Sequence, residues 1–122
     1  MKTNEVLENI KARRSVRAYT GQQVLEEDLQ AILEAATYAP SGMHLETWHF
    51  TAIQNMDKLT ELNERIKGAF AKSDDSRLQE RGHSKTYCCY YHAPTLVIVS
   101  NEPTQWWAGM DLSLIHISEP TR

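Results

Sequence analysis

Ala39-Pro40-Ser41-Gly42-Met43-His44, followed shortly by Trp48-His49-Phe50-Thr51-Ala52-Ile53, is where a helical pattern gives way to a strand. Proline restricts the residue before it and glycine reaches backbone angles that other residues avoid, so a helix arriving from the N-terminal side must stop here. The run from Trp48 sets Trp48, Phe50 and Ala52 against His49, Thr51 and Ile53, with aromatic and β-branched side chains suited to a pleated surface. Upstream, Glu26, Glu27 and Asp28 load the first turn of a helix whose apolar stripe is Leu29, Ile32, Leu33 and Ala36. Thr20-Gly21-Gln22-Gln23 reads as the turn before it. Earlier still, Val6, Leu7 and Ile10 recur at helical spacing after the N-cap candidate Asn4, and Arg13 and Arg14 fall where a helix C-terminus favours positive charge.

Downstream, Asn55 is placed to cap a helix with Leu59, Leu62, Ile66 and Phe70 on one face. From Lys72 to Lys85 the periodicity dissolves, and the stretch reads as a polar surface excursion. Thr95-Leu96-Val97-Ile98-Val99-Ser100 is a continuous β-rich run of the kind found in a strand covered on both faces. The expected order is therefore α, α, β, α, loop, β, with no internal repeat.

Thirteen Lys and Arg against 16 Asp and Glu give the 122 residues a formal charge of −3, which argues against a nucleic-acid binder held by a basic face. With 41% apolar and 24% charged residues the composition is that of a globular domain. No run approaches the roughly 18 apolar residues of a membrane helix. The start lacks the apolar core and cleavage site of a signal peptide, so a cytoplasmic location is expected. The two cysteines, Cys88 and Cys89, are neighbours, and a bridge between them would staple nothing distant.

Arg13-Arg14-Ser15-Val16-Arg17 offers three guanidinium groups and a hydroxyl, the donor set a phosphate requires, because arginine gives charged, forked hydrogen bonds. The same residues also read as a basic helix end. Pro40, Ser41, Gly42 and His44 lie in a small-residue loop whose backbone N–H groups and hydroxyl can approach a planar or anionic ligand, or which simply connects a helix to a strand. His83, Cys88, Cys89 and His92 are the one cluster of soft ligand types, at a spacing that matches no familiar zinc pattern, so no metal site is expected. There is no phosphate-binding loop of the Gly-rich lysine type, no dinucleotide fingerprint and no zinc-protease histidine pair.

Three features in order, Arg13-Arg14-Ser15-Val16-Arg17-Ala18-Tyr19, then Ala39-Pro40-Ser41-Gly42, then Trp48-His49-Phe50, together resemble the nitroreductase family of FMN-dependent oxidoreductases. The resemblance runs from about Leu7 to Asp111 and includes Ala93-Pro94-Thr95-Leu96-Val97-Ile98-Val99. It implies an α+β, nitroreductase-like fold with a central sheet flanked by helices, and a homodimer with FMN at the subunit interface. Arg13, Ser15 and Arg17, with Arg14 beside them, would contact the FMN phosphate and ring edge from one subunit, while Ser41, Gly42 and His44, introduced by Pro40, would approach from the other. NAD(P)H would reduce the flavin, and an electron-poor acceptor such as a nitroaromatic or quinone would reoxidise it. Because the cofactor carries the redox chemistry, no catalytic side chain is assigned. The family usually has Asn at the position of His44, Gln at that of Glu46 and Pro at that of Thr47. A non-catalytic flavin-binding or partner-binding fragment is the alternative reading.

The resemblance places residues 1–111 in the N-terminal part of such a domain. Residues 112–122 have no counterpart in the family pattern and read as an artefactual tail on a C-terminally truncated copy. Loss of the remaining half would leave apolar faces uncovered, notably Leu96 to Val99 and the stripe from Leu29 to Ala36.

Overall fold

The computed structural model describes residues 3–44, 46–102, 109, 112 and 113, with the side chain of His44 outside that description. The elements are α1 (Glu5–Ala12), α2 (Glu26–Thr37), a 3-10 turn at Gly42–His44, β1 (Trp48–Ile53), α3 (Met56–Ala71), α4 (Ser76–His83) and β2 (Leu96–Asn101). The fold class is α+β, with β1 and β2 paired in a two-stranded sheet. Ser100 Oγ donates to the His49 carbonyl at 3.4 Å, and Gln54 Nε2, just after β1, donates to Thr95 Oγ1, just before β2, at 3.0 Å. The strands therefore run antiparallel.

Local chemistry accounts for the helix ends. Asn4 Oδ1 accepts the Leu7 N–H at 2.9 Å and Asn55 Oδ1 accepts the Lys58 N–H at 3.0 Å, so both expected caps satisfy a backbone donor that the helix leaves free. For α2 the N-cap is Leu25, without a side-chain bond, and three acidic residues in its first turn complement the helix dipole instead. It ends at Thr37, ahead of Pro40.

The chain divides into two compact units. In the first (Met1–Val16, Val24–Thr51, Ile98–Arg122), Ala36 and Ala39 form a small core against which Trp48, Phe50, Val99 and Leu112 pack. In the second (Arg17–Gln23, Ala52–Val97), Leu59, Cys88, Tyr90 and Ala93 form the core, joined by Ile53, Cys89 and Leu96. The alternation of β1 holds for Trp48 and Phe50 facing in, then shifts, leaving Ala52 exposed and Ile53 half-buried, because Ile53 packs into the second core. Asn63 interrupts the apolar stripe of α3 and is nonetheless buried. Its Nδ2 donates to the Tyr87 carbonyl at 3.2 Å and its Oδ1 accepts the Cys89 N–H at 3.0 Å, so α3 holds the segment carrying the cysteines by both ends of one carboxamide.

Two expectations are corrected. The stretch from Lys72 to Lys85 contains a helix, α4, packed against α3. Its stripe is nearly absent, with Leu78 as the one aliphatic side chain, and its ends define it instead. Asp75 Oδ1 accepts the Arg77 N–H at 2.8 Å, and Arg81 and His83 fall in the last turn. Strand β2 is not covered on both faces among the described residues: Leu96, Val97 and Val99 are half-buried, whereas Ile98 is 40% exposed. Of the stripe on α2, Leu29 and Ala36 are buried and Ile32 is exposed. The expected boundary at 111/112 falls among residues that, apart from Leu112 and Ser113, lie outside the description.

Candidate functional site

Arg13 ends α1 with φ −55 and ψ 135, so the backbone leaves the helix there, and residues 13–20 have no regular structure. Arg14 turns back on the helix, its Nη1 donating to the carbonyls of Lys11 at 2.9 Å and Arg13 at 2.8 Å. Those are carbonyls that a helix end leaves without partners, so Arg14 takes the plain role of a basic helix terminus. Arg13, Ser15 and Arg17 are exposed, and among the described residues neither Arg13 nor Arg17 is in an ion pair. Of the two readings open from the sequence, a phosphate donor set and a basic helix end, Arg14 takes the second, while Arg13 and Arg17 are left exposed. Arg13, Arg14 and Ser15 belong to the first unit and Arg17 to the second.

In the first unit Pro40 leads into the loop that carries the 3-10 turn Gly42–His44, with Glu46 beyond it. Pro40 is exposed, Ser41 and Gly42 are half-buried, and Ser41 Oγ accepts the Glu46 N–H at 3.2 Å, closing the loop on itself. Met43 (φ 55) and Glu46 (φ 46) both sit in the left-handed region. Such a conformation costs a non-glycine residue about 1–3 kcal/mol and is retained where surrounding structure imposes it, often at ligand clamps. Beyond the loop, the Thr47 hydroxyl donates to Asn101 Oδ1, which also accepts the Glu102 N–H at 2.8 Å. Asn101 Nδ2 is buried with no partner among the described residues. Two features of this region are invisible in sequence: the bond closing the loop and the arrest of Thr47 by Asn101, 54 residues away.

The soft-ligand cluster is mainly a packing feature. Cys88 and Cys89 are free, Cys88 and Tyr90 are buried in the second core, and Cys88 Sγ accepts the His92 N–H at 3.3 Å. Burial, and then the neighbouring Cys88, push the Cys89 thiol up, which lowers its thiolate fraction and slows its reactions at neutral pH. Alkylation of Cys89 by iodoacetamide at pH 7 should therefore be on the order of tenfold slower in the folded chain than in urea. Equal rates would show that the thiol is neither buried nor perturbed.

A groove of about 420 Å³ in the second unit is lined by Arg77, Glu80, Arg81, Ser84, Thr86 and Tyr87. Both its cations are engaged: Arg77 Nη2 meets Asp75 Oδ2 at 3.0 Å, and the Arg81 guanidinium lies 5.8 Å from the Tyr87 ring centroid. It is thus a surface of internal pairs, separate from the sequence-predicted residues.

The nitroreductase family model matches residues 10–115. A nitroreductase of Bacteroides fragilis NCTC 9343, whose crystal structure holds FMN, is 74% identical with a TM-score of 0.91, over 95% of this chain and 63% of that one. A second FMN-bound nitroreductase, from Desulfitobacterium hafniense DCB-2, is 31% identical with a TM-score of 0.81, over 96% of this chain and 63% of that one. A protein of Archaeoglobus fulgidus, provisionally named NADH dehydrogenase/NAD(P)H nitroreductase, is 38% identical over 60 residues, 49% of this chain and 34% of its own length. The chain thus spans less than two thirds of the length of each of these relatives.

Proposed function

Because the chain belongs to the nitroreductase family, we propose that it is part of an FMN-dependent oxidoreductase that passes hydride from NAD(P)H to an electron-poor acceptor such as a nitroaromatic or quinone. It would act as a homodimer with the flavin at the subunit interface. The observation that carries this reading is the division among the arginines: Arg14 is bound to the end of α1, while Arg13 and Arg17 have no ion-pair partner among the described residues. Each exposed guanidinium group, and the Ser15 hydroxyl, carries the kind of donor that a phosphate dianion requires.

Arg13 and Arg17 would hold the phosphate and ring edge, with Ser15 donating from its hydroxyl. Arg14 would act by fixing the helix end from which Arg13 departs. Gly42 presents no side chain at the closed turn, and Ser41, bonded to the Glu46 N–H, would keep that turn in the shape the flavin meets. Pro40 would set the entry to the turn and His44 would complete it. When bound, FMN supplies the hydride and electron transfer; the side chains orient it and tune its electronics.

The test is the absorbance of the purified chain with FMN, followed by anaerobic NADH or NADPH and then a nitroaromatic. A bound-flavin spectrum that bleaches and then recovers is expected. Flavin that binds but resists both reductants would favour the non-catalytic flavin-binding fragment, and a chain that takes up no flavin would contradict both.

A further inference from the structure

Gln23 closes the segment Arg17–Gln23, which belongs to the second unit and contains neither helix nor strand. An irregular, exposed segment has little of its own to hold it, yet the carboxamide of Gln23 is bonded at both ends. Its Nε2 donates to the carbonyls of Pro94 at 3.1 Å and Gln54 at 3.4 Å. Its Oε1 accepts from the Thr95 hydroxyl at 2.6 Å and from Gln54 Nε2 at 3.3 Å. Gln54 follows β1 and Thr95 precedes β2, so one side chain ties the segment to the ends of both strands. Only a carboxamide of this length combines two donor hydrogens with an acceptor in that span; a glutamate would bring a carboxylate against two carbonyl oxygens.

We infer that Gln23 is a positioning residue for the flavin site, clamping the segment 17–23 to the β1 and β2 ends so that Arg17 is held in order before an anion arrives. The inference rests on the reading of Arg17 as a phosphate contact. Ordering a segment in advance removes an entropy cost from binding, so the clamp acts on affinity through Arg17 and touches no ligand itself.

Two measurements on the full chain test it. Without flavin, trypsin cleavage after Arg17 is timed against cleavage after Lys72, which is exposed in the α3–α4 connection. Gln23→Ala and Thr95→Val should each speed the Arg17 cut by about threefold to tenfold, the range expected from losing one or two net hydrogen bonds, and leave the Lys72 cut unchanged. With flavin, Gln23→Ala should weaken FMN binding by a similar factor in the unmutated background and have no further effect in Arg17→Ala, whereas a general structural defect would add to it. An unchanged Arg17 cut in both variants overturns the clamp. Faster cutting with additive affinity losses overturns the action through Arg17. Faster cutting in a chain that binds no FMN at all overturns the flavin reading, and the assigned role with it.

Discussion

Leu59→Ala should lower the unfolding free energy by about 2–5 kcal/mol, the range for truncating a buried leucine to alanine. Leu59 has no exposed surface and is the largest fully buried side chain of the described residues. It joins α3 to Cys88, Tyr90 and Ala93, with Ile53 and Leu96 against the same cluster. Cys88, Tyr90 and Ala93 all belong to a segment with no helix or strand, whose backbone is otherwise tied to α3 through Asn63, so the resulting cavity has few regular elements able to close it. Domains are stable by only about 5–15 kcal/mol, so urea denaturation should show a large fall in midpoint or loss of the cooperative transition. A loss under about 1 kcal/mol would mean that the second unit does not depend on this core.

Gly82→Ala should be comparably severe for a different reason. A Cβ at Gly82 would run into the Ala71 nitrogen and lie 2.8 Å from the Ala71 Cα and 2.8 Å from the Lys67 carbonyl oxygen. All three are backbone atoms of α3, so no side chain can swing aside, and α4 must move away from α3. The expected cost is at or above the upper end of the roughly 1–3 kcal/mol typical of overpacking. Gly68→Ala is the internal contrast. Its Cβ would meet nothing within 4 Å, and an interior helical glycine replaced by alanine should gain about 0.5–1 kcal/mol. Thermal unfolding of the two variants should therefore move in opposite directions, and two small shifts of the same sign would show that the α3–α4 contact is looser than described.

How far the fold was legible depended on whether its signals were local. Helices α1, α2 and α3 carry stripes and, in α1 and α3, asparagine caps within a few residues of what they stabilise, and β1 carries an alternation readable over four residues. Helix α4 has its signals at its ends, where Asp75 caps and Arg81 and His83 meet the last turn. A search for apolar periodicity passes over them. The role of Gly82 was not legible at all, since it is defined by the Ala71 and Lys67 backbones.

The candidate site divides in the same way. The residue types of Arg13, Ser15, Arg17 and the loop from Pro40 to His44 were readable as donors and as a turn, because that is chemistry carried by each residue alone. That Arg14 is spent on carbonyls at the end of α1 depends on its rotamer. That Gln23 holds its segment depends on partners 31 and 71 residues away, and no local pattern records them.

The most direct test of the account is a parallel titration of the chain with FMN and with riboflavin, which share the ring system and differ by the phosphate, repeated with Arg13→Ala. FMN should bind at least about tenfold more tightly, and Arg13→Ala should remove most of that preference while leaving riboflavin binding nearly unchanged, since a charge-assisted hydrogen bond is worth about 1.5–3 kcal/mol. Equal affinities for the two flavins, or a preference for FMN that survives Arg13→Ala intact, would contradict the assignment of these guanidinium groups to the phosphate.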